Sequence, residues 1–345
     1  MTILNMQLIT RTHSSTTTTT TSPRARRFAQ RSTLVACTVA ALAAPGVASA
    51  ADTVVAPDPA ADRVTALDGT VVWVSGTYGD QVLMQRTPAG VIARVKGAPR
   101  AAVYGSIDLG HDSKGRLVLT YMRCGENTCT AKRDNLDGKR ASFRRLTLKR
   151  CHLSTAPAMW GNRLAYGLSC RKPKNRTGDK RSGLYVKTGT GSPKRLRLPS
   201  HAVKLGITAI SAVDLRRTRV AALAADVYDY AFTQTVSGTR LRSILVSDAE
   251  GDNEGHATGV SLGSGGVMWT LENLRRYDRP KEAIIIKMAS GCLGLERLVS
   301  PPANHYGPEP NYRATGFAVD RSTLYLVVPG TGIVEHRFAP DGPCG

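Results

Sequence analysis

The chain has 345 residues, 41% of them hydrophobic, with 47 Lys and Arg against 26 Asp and Glu, for a formal net charge of +21. That length is ample for a buried core, as one β-rich domain or two smaller ones, and excludes a chain too short to fold alone. No apolar run reaches the roughly 20 residues that a membrane-spanning helix needs.

Residues 1–50 have the pattern of a signal peptide. Arg24, Arg26, Arg27 and Arg31 close a basic, Ser/Thr-rich stretch. Leu34 to Val47 is apolar, and Ala48-Ser49-Ala50 gives a small-x-small cleavage pattern. Removal after Ala50 predicts a secreted or extracytoplasmic protein of the cell envelope with no transmembrane segment left. The alternative is a lipoprotein anchored at Cys37, since Leu34-Val35-Ala36-Cys37 is lipobox-like, but only five residues separate Cys37 from Arg31. Arg26-Arg27 fits a twin-arginine signal loosely. The long n-region, with Thr16 to Thr21, leaves the true start codon open.

Six cysteines follow: Cys124, Cys129, Cys151, Cys170, Cys292 and Cys344. An even number in an exported chain points to disulfides, and no C-x₂-C spacing supports zinc. Six allow 15 connectivities. Nearest-neighbour pairing is the expected one: Cys124–Cys129 across a hairpin loop, Cys151–Cys170 between adjacent strands, and Cys292–Cys344 at the C-terminus.

Beyond residue 62 helical periodicity is nearly absent, and short apolar strands alternate with turns. Six second strands align, starting at Gly69, Gly115, Gly161, Arg217, Gly265 and Arg321, with spacings of 46, 46, 56, 48 and 56 residues. A strand-and-turn period of 40–50 residues is that of propeller blades, because a small sheet buries both faces only between two neighbours. Third strands are expected at Gln81–Gln85, Gly183–Lys187, Ser243–Ser247 and Ala283–Lys287. Outer strands are expected at Val91–Val95, Phe143–Leu148 and Arg195–Leu198. The last unit has three strands of its own, Ala314–Val319, Leu324–Val328 and Ile333–Phe338. Residues 51–62 therefore form a linker in which Thr53-Val54-Val55 supplies the missing strand. The fold expected for 63–345 is an all-β propeller, six blades of about four antiparallel strands, with seven as the alternative.

Asp68-Gly69, Asp112-Ser113-Lys114-Gly115 and Asp320-Arg321-Ser322 precede second strands. In this the chain resembles the secreted TolB-like and WD40-like propeller repeats, over nearly all of residues 63–340. The motifs are degenerate, and the resemblance implies a fold and not an activity.

No catalytic signature stands out. His111, His152, His201, His256, His305 and His336 lack metalloprotease spacing and read as solvated loop residues. Leu262-Gly263-Ser264-Gly265-Gly266 lacks the first Gly of a nucleophile elbow and reads as a turn. Ser211-Ala212-Val213-Asp214-Leu215 does not fit an Asp box. Asp248, Glu250 and Asp252 alternate like the start of a calcium loop, but Asn253 stands where Gly is needed and Gly259 where Glu is, so a solvated hairpin tip is the expected reading. No cofactor and no catalytic residue is expected.

The charge is uneven. Residues 132–197 hold nineteen Lys and Arg against three Asp, while the rest of the chain after Ala50 balances. The candidate binding residues are Lys172, Lys174, Arg176, Lys180 and Arg181 in one loop, with Arg144, Arg195 and Arg197 on outer strands. They suggest a non-enzymatic binding or scaffolding module that contacts an anionic envelope polymer. Edge protection of outer strands explains the same residues without a ligand. The alternatives are an enzyme acting on carbohydrate or another small substrate at the channel mouth, and a protein-protein interaction module. Nucleic acid is disfavoured for want of stacking aromatics. A monomer is expected. Carboxylates and histidines converging at one channel end would favour the enzyme, and a filled channel with a basic rim the binder.

Overall fold

The computed structural model describes residues 52–99, 102–126, 128–143, 146–170, 181–226, 228–248, 255–274, 283–289, 292–298 and 314–337. Strands dominate because runs of Val, Leu, Ile, Thr and aromatics suit a pleated surface covered on both sides. The second strands show this best. Thr70–Ser75 is buried at every position but its last, as a sheet covered on both faces requires.

β1 (Thr53–Pro57) is followed by a first antiparallel sheet of β2 (Ala61–Leu67), β3 (Thr70–Ser75), β4 (Val82–Arg86) and β5 (Ile92–Arg94). A second set comprises β6 (Val103–Asp112), β7 (Leu117–Cys124), β8 (Cys129–Asn135) and β9 (Arg140–Ser142). In the third, β10 (Cys151–Leu153) and β11 (Ala158–Gly161) together edge β12 (Arg163–Cys170), followed by β13 (Gly183–Thr188) and β14 (Lys194–Arg195). A short helix, α1 (Ser200–Lys204), leads to β15 (Ile210–Arg216), β16 (Arg219–Ala225), β17 (Tyr228–Thr235) and β18 (Arg242–Asp248). The fifth sheet is β19 (Gly255–Leu262), β20 (Met268–Leu274), β21 (Ala283–Ala289) and β22 (Cys292–Leu298). The last contains β23 (Gly316–Asp320), β24 (Thr323–Val328) and β25 (Gly332–Arg337), with β1 paired to β25 as its outer strand.

The sheets stack face to face, as in a β-propeller. One apolar cluster joins Val72, Val74 and Leu83 of the first sheet to Leu109, Leu119 and Tyr121 of the second. Others lie between the third and fourth sheets, the fourth and fifth, and the fifth and last. Another joins the last sheet to the first through Val327, Ile333, Val71 and Trp73. The first strands pack side by side: β2 with β6 and β23, β15 with β11 and β19, and β19 with β23. β6 and β11 bond directly, in parallel, with Trp160 opposite His111. That approach needs a glycine, because a Cβ on Gly110 would lie 1.9 Å from the Met159 carbonyl oxygen.

The expected strand at Thr53-Val54-Val55 is β1, with Val54 opposite Val334. Trp73 Nε1 donates to Asp58 Oδ2 at 2.7 Å just beyond it. Two outer-strand expectations need correction. The second set is edged by Arg140–Ser142, and Phe143–Leu148 is not a strand in its described part; Leu146 instead packs with Tyr166, Leu168 and Tyr185. β14 spans only Lys194–Arg195, and Leu196 and Leu198 turn into the cluster around Leu184. In both places alternating charged and apolar residues anchor an edge by burial, and at Leu196 the N–H still donates to the Leu184 carbonyl at 2.9 Å.

Deleting residues 51–57 is expected to lower the melting temperature by about 5–10 °C, because β25 becomes an open edge and Ala56 leaves the core. An unchanged melting temperature in calorimetry refutes a closing role for β1.

Candidate functional site

The first strands carry polar residues at matching heights, each holding a backbone amide of the next strand round. Thr65 Oγ1 accepts from Leu109 N–H at 3.1 Å, Asp214 Oδ2 from Leu262 N–H at 2.6 Å, and Ser261 Oγ from Val319 N–H at 3.1 Å. Asp108 is held likewise by the amides of Met159 and Leu109. Arg216, at the end of β15, reaches two other strands: Nη2 donates to the carbonyls of Ala66 at 3.1 Å and Val319 at 2.8 Å. Its guanidinium also lies 4.0 Å from Asp214 and 3.8 Å from Asp320.

Above this layer the first strands enclose a cavity of about 300 Å³, whose lining includes Thr65, Ser106, Asp108, Asp214, Ser261 and Phe317. The strands make room for it with bulges. Register shifts fall between Ala61 and Val64, Tyr104 and Ile107, Ile210 and Ala212, and Ala257 and Val260. In the third sheet the strand is interrupted between β10 and β11. Bulges of this kind re-aim side chains beside functional sites.

Most of the lining hydroxyls are committed to backbone partners: Thr155 takes the Gly167 amide, Ser211 donates to Leu223, and Thr315 donates to Asp62. Oδ2 of Asp108 is different. It is buried and has no hydrogen-bond partner. Burial, and then the neighbouring Asp214 charge, push the Asp108 carboxyl well above the usual range, against a smaller opposing pull from Arg216. Burial also raises Asp214, which Arg216 and the Leu262 amide partly restore. Burial and the repulsion from Asp214 both favour the protonated form of Asp108 relative to an exposed carboxylate. The site can donate a proton or hydrogen bond from one carboxyl and accept on the other.

Of the basic residues singled out in the sequence, Lys172, Lys174, Arg176, Lys180 and Arg144 lie outside the described residues. Arg181 Nη1 donates to the Lys149 carbonyl at 3.1 Å, and Arg195 donates twice to Ser182 O, at 3.1 and 2.9 Å. Arg197 is exposed. Asp248 ends β18, while Glu250 and Asp252 lie outside the described residues. Among the described residues no cluster of three His, Cys, Asp or Glu could hold a metal.

Two disulfides form as expected, Cys124–Cys129 across the β7–β8 loop and Cys151–Cys170 between β10 and β12. Cys292 opens β22, and its expected pairing with Cys344 falls outside the described residues. Two histidines correct the loop reading. His111 and His336 sit on strands with largely buried side chains, bonded to Asp68 at 2.7 Å and Asp52 at 2.6 Å. Among the described residues no helix is long and apolar enough to cross a membrane.

No family model matches the chain, and no curated protein matches it. Among solved structures it is similar to virginiamycin B lyase from Staphylococcus aureus, at 11% identity over 84% of this chain and 99% of that one, TM-score 0.45. It is also similar to a luciferin-regenerating enzyme, at 12% identity over 83% and 94%, TM-score 0.49. A third is the PQQ-bound aldose sugar dehydrogenase from Streptomyces coelicolor, at 11% identity over 83% and 98%, TM-score 0.48. Likeness at this level transfers no activity, and the propeller assignment rests on the strand pairing.

Because its folded-state pKa is raised, Asp108 lowers stability as pH climbs from the ordinary carboxylate range through its raised value. Asp108→Asn is therefore expected to raise the melting temperature by about 2 °C or more at pH 8 and to leave it nearly unchanged at pH 3.5, read by calorimetry. Glu272 has the same sign with a defined window. Burial, then Asp229, raise its carboxyl to about 7. Glu272→Gln is expected to remove a loss of stability that sets in between about pH 4.5 and 7.

Proposed function

We propose that this protein is an exported six-bladed propeller of the TolB-like or WD40-like kind, closed by β1, that binds a small, neutral, hydroxyl-bearing ligand at the mouth of its channel. One observation carries the reading: Asp108 offers a buried carboxyl oxygen without a partner in a cavity whose lining hydroxyls are mostly committed. Such an oxygen costs about 1–3 kcal/mol unless something bonds to it. A ligand hydroxyl does so in either protonation state. About 300 Å³ suits a monosaccharide-sized molecule, and Phe317 supplies an apolar wall. The Arg216 guanidinium beside Asp214 offsets carboxylate charge in the cavity, which favours a neutral guest over a cation.

The test is calorimetric titration with neutral monosaccharides and polyols. Binding that weakens at least about tenfold in Asp108→Ala supports the reading. Equal affinity in the variant, or no binding by the native protein across the panel, rejects it. Release of a chromophore from aryl glycosides, lost in both Asp108→Ala and Asp214→Ala, would extend binding to general-acid catalysis.

A second reading is supported by the concentration of charge in residues 132–197. It is contact of this sector with an anionic envelope polymer. Changing Lys172, Lys174, Arg176, Lys180 and Arg181 to Glu is expected to abolish a salt-sensitive interaction with acidic polysaccharide, measured in pull-down across a salt series.

A further inference from the structure

At the opposite ends of the same strands lies a second cavity, of about 490 Å³. It is lined by the turns that lead from first to second strands: Asp68, Arg217 to Arg219, Gly263 to Gly266, and Asp320-Arg321, with Trp160 on one wall. Arg216 lines both cavities.

The charges of this mouth do not cancel. Asp68 is held by His111 Nε2 at 2.7 Å, and that histidine packs edge-on against Trp160 with ring centroids 4.6 Å apart. Asp320 accepts from Gly69 N–H at 2.7 Å and faces Arg216 at 3.8 Å. Three guanidinium groups remain, those of Arg217, Arg219 and Arg321, and among the described residues none has an ion-pair partner. Three like charges round one hollow repel one another, and a bound anion would relieve the repulsion. Arg217 and Arg321 also adopt left-handed backbone, with φ of 54° and 56°. Gly or Asn fits there at less cost, so the two arginines are not explained by turn formation.

We propose that this second mouth is a binding site for a small oxyanion carrying phosphate or carboxylate groups, gripped by Arg217, Arg219 and Arg321 against the Trp160 wall. The guanidinium fork suits both groups, since it offers parallel N–H donors to paired oxygens. The site is independent of the ligand assigned to the acidic mouth, and the two stand or fall separately.

Pyrophosphate and citrate, titrated calorimetrically into the disulfide-intact protein at low salt, test it, with glycerol as the uncharged control. The key variant is Arg217→Gly/Arg219→Gln/Arg321→Gly. Two of its changes place glycine where the backbone is already left-handed, so it is expected to fold at least as well as the native chain. Binding of either anion that weakens with added salt, and falls at least about tenfold in the triple variant, supports the site. The pair also tells a phosphate site from a carboxylate site. Asp108→Ala and the charge-reversed 172–181 variant are expected to bind the anion as the native protein does. No binding of either anion by the native protein at about 10 mM overturns the proposal, as does native-like affinity in the triple variant or loss of binding only in the 172–181 variant.

Discussion

A single guanidinium laid across the channel governs how the two ends of the molecule can differ. Arg216 leaves β15 and meets carbonyls on β2 and β23, with Asp214 and Asp320 beside it. Buried charge is tolerated when it is paired and hydrogen-bonded, and breaking such a set by removing one member strands the others. Arg216 thus ties the fourth sheet to the last and first ones and lines both cavities. One mouth keeps coupled acids and hydroxyls, and the other keeps arginines.

The polar residues next to it solve a backbone problem. Except where β6 and β11 pair, the first strand of each sheet has a free edge whose amides need acceptors. Thr65, Asp108, Asp214 and Ser261 supply them. At the matching height Ala158 and Ala318 have no acceptor to offer, and there the neighbours rely on other contacts. Asp108 is the member that does more than this task demands, since one of its oxygens suffices to hold the amides.

Much of the fold was legible in the sequence. Second strands are buried on both faces, so their apolar runs are continuous and recur visibly. The strand that pairs with β25 announced itself as a Thr-Val-Val run ahead of a last unit short of one strand. Both described disulfides join near neighbours, where sequence proximity is a fair guide. The acid pair was not legible. Asp108 sits between Ile107 and Leu109, and Asp214 between Val213 and Leu215, which reads as an ordinary strand with one wet face. Period-two alternation cannot distinguish a face turned to solvent from one turned to a channel. The turns also hide the correspondence: Thr65 precedes Gly69 by four residues, Asp108 precedes Gly115 by seven, and Asp214 precedes Arg217 by three. Counting from the ends of the first strands does not align them either, since Thr65 lies two residues before the end of its strand and Asp108 four. A charge count also cannot show which side chains are anchored: Arg181 and Arg195 keep their charge but are held by backbone carbonyls.

The pairing of Thr53–Pro57 with Gly332–Arg337 joins residues nearly the whole chain apart. Contacts of such separation are slow to form, since loop-closure entropy must be met before they contribute anything. During synthesis the first strand emerges early and has no partner until the last sheet is made. The intervening strands can assemble from local hairpins as they appear, while the last sheet waits for β1. A chain interrupted near residue 320 would therefore hold most of its core and still carry β1 as a bare apolar strand, open to whatever edge it meets next.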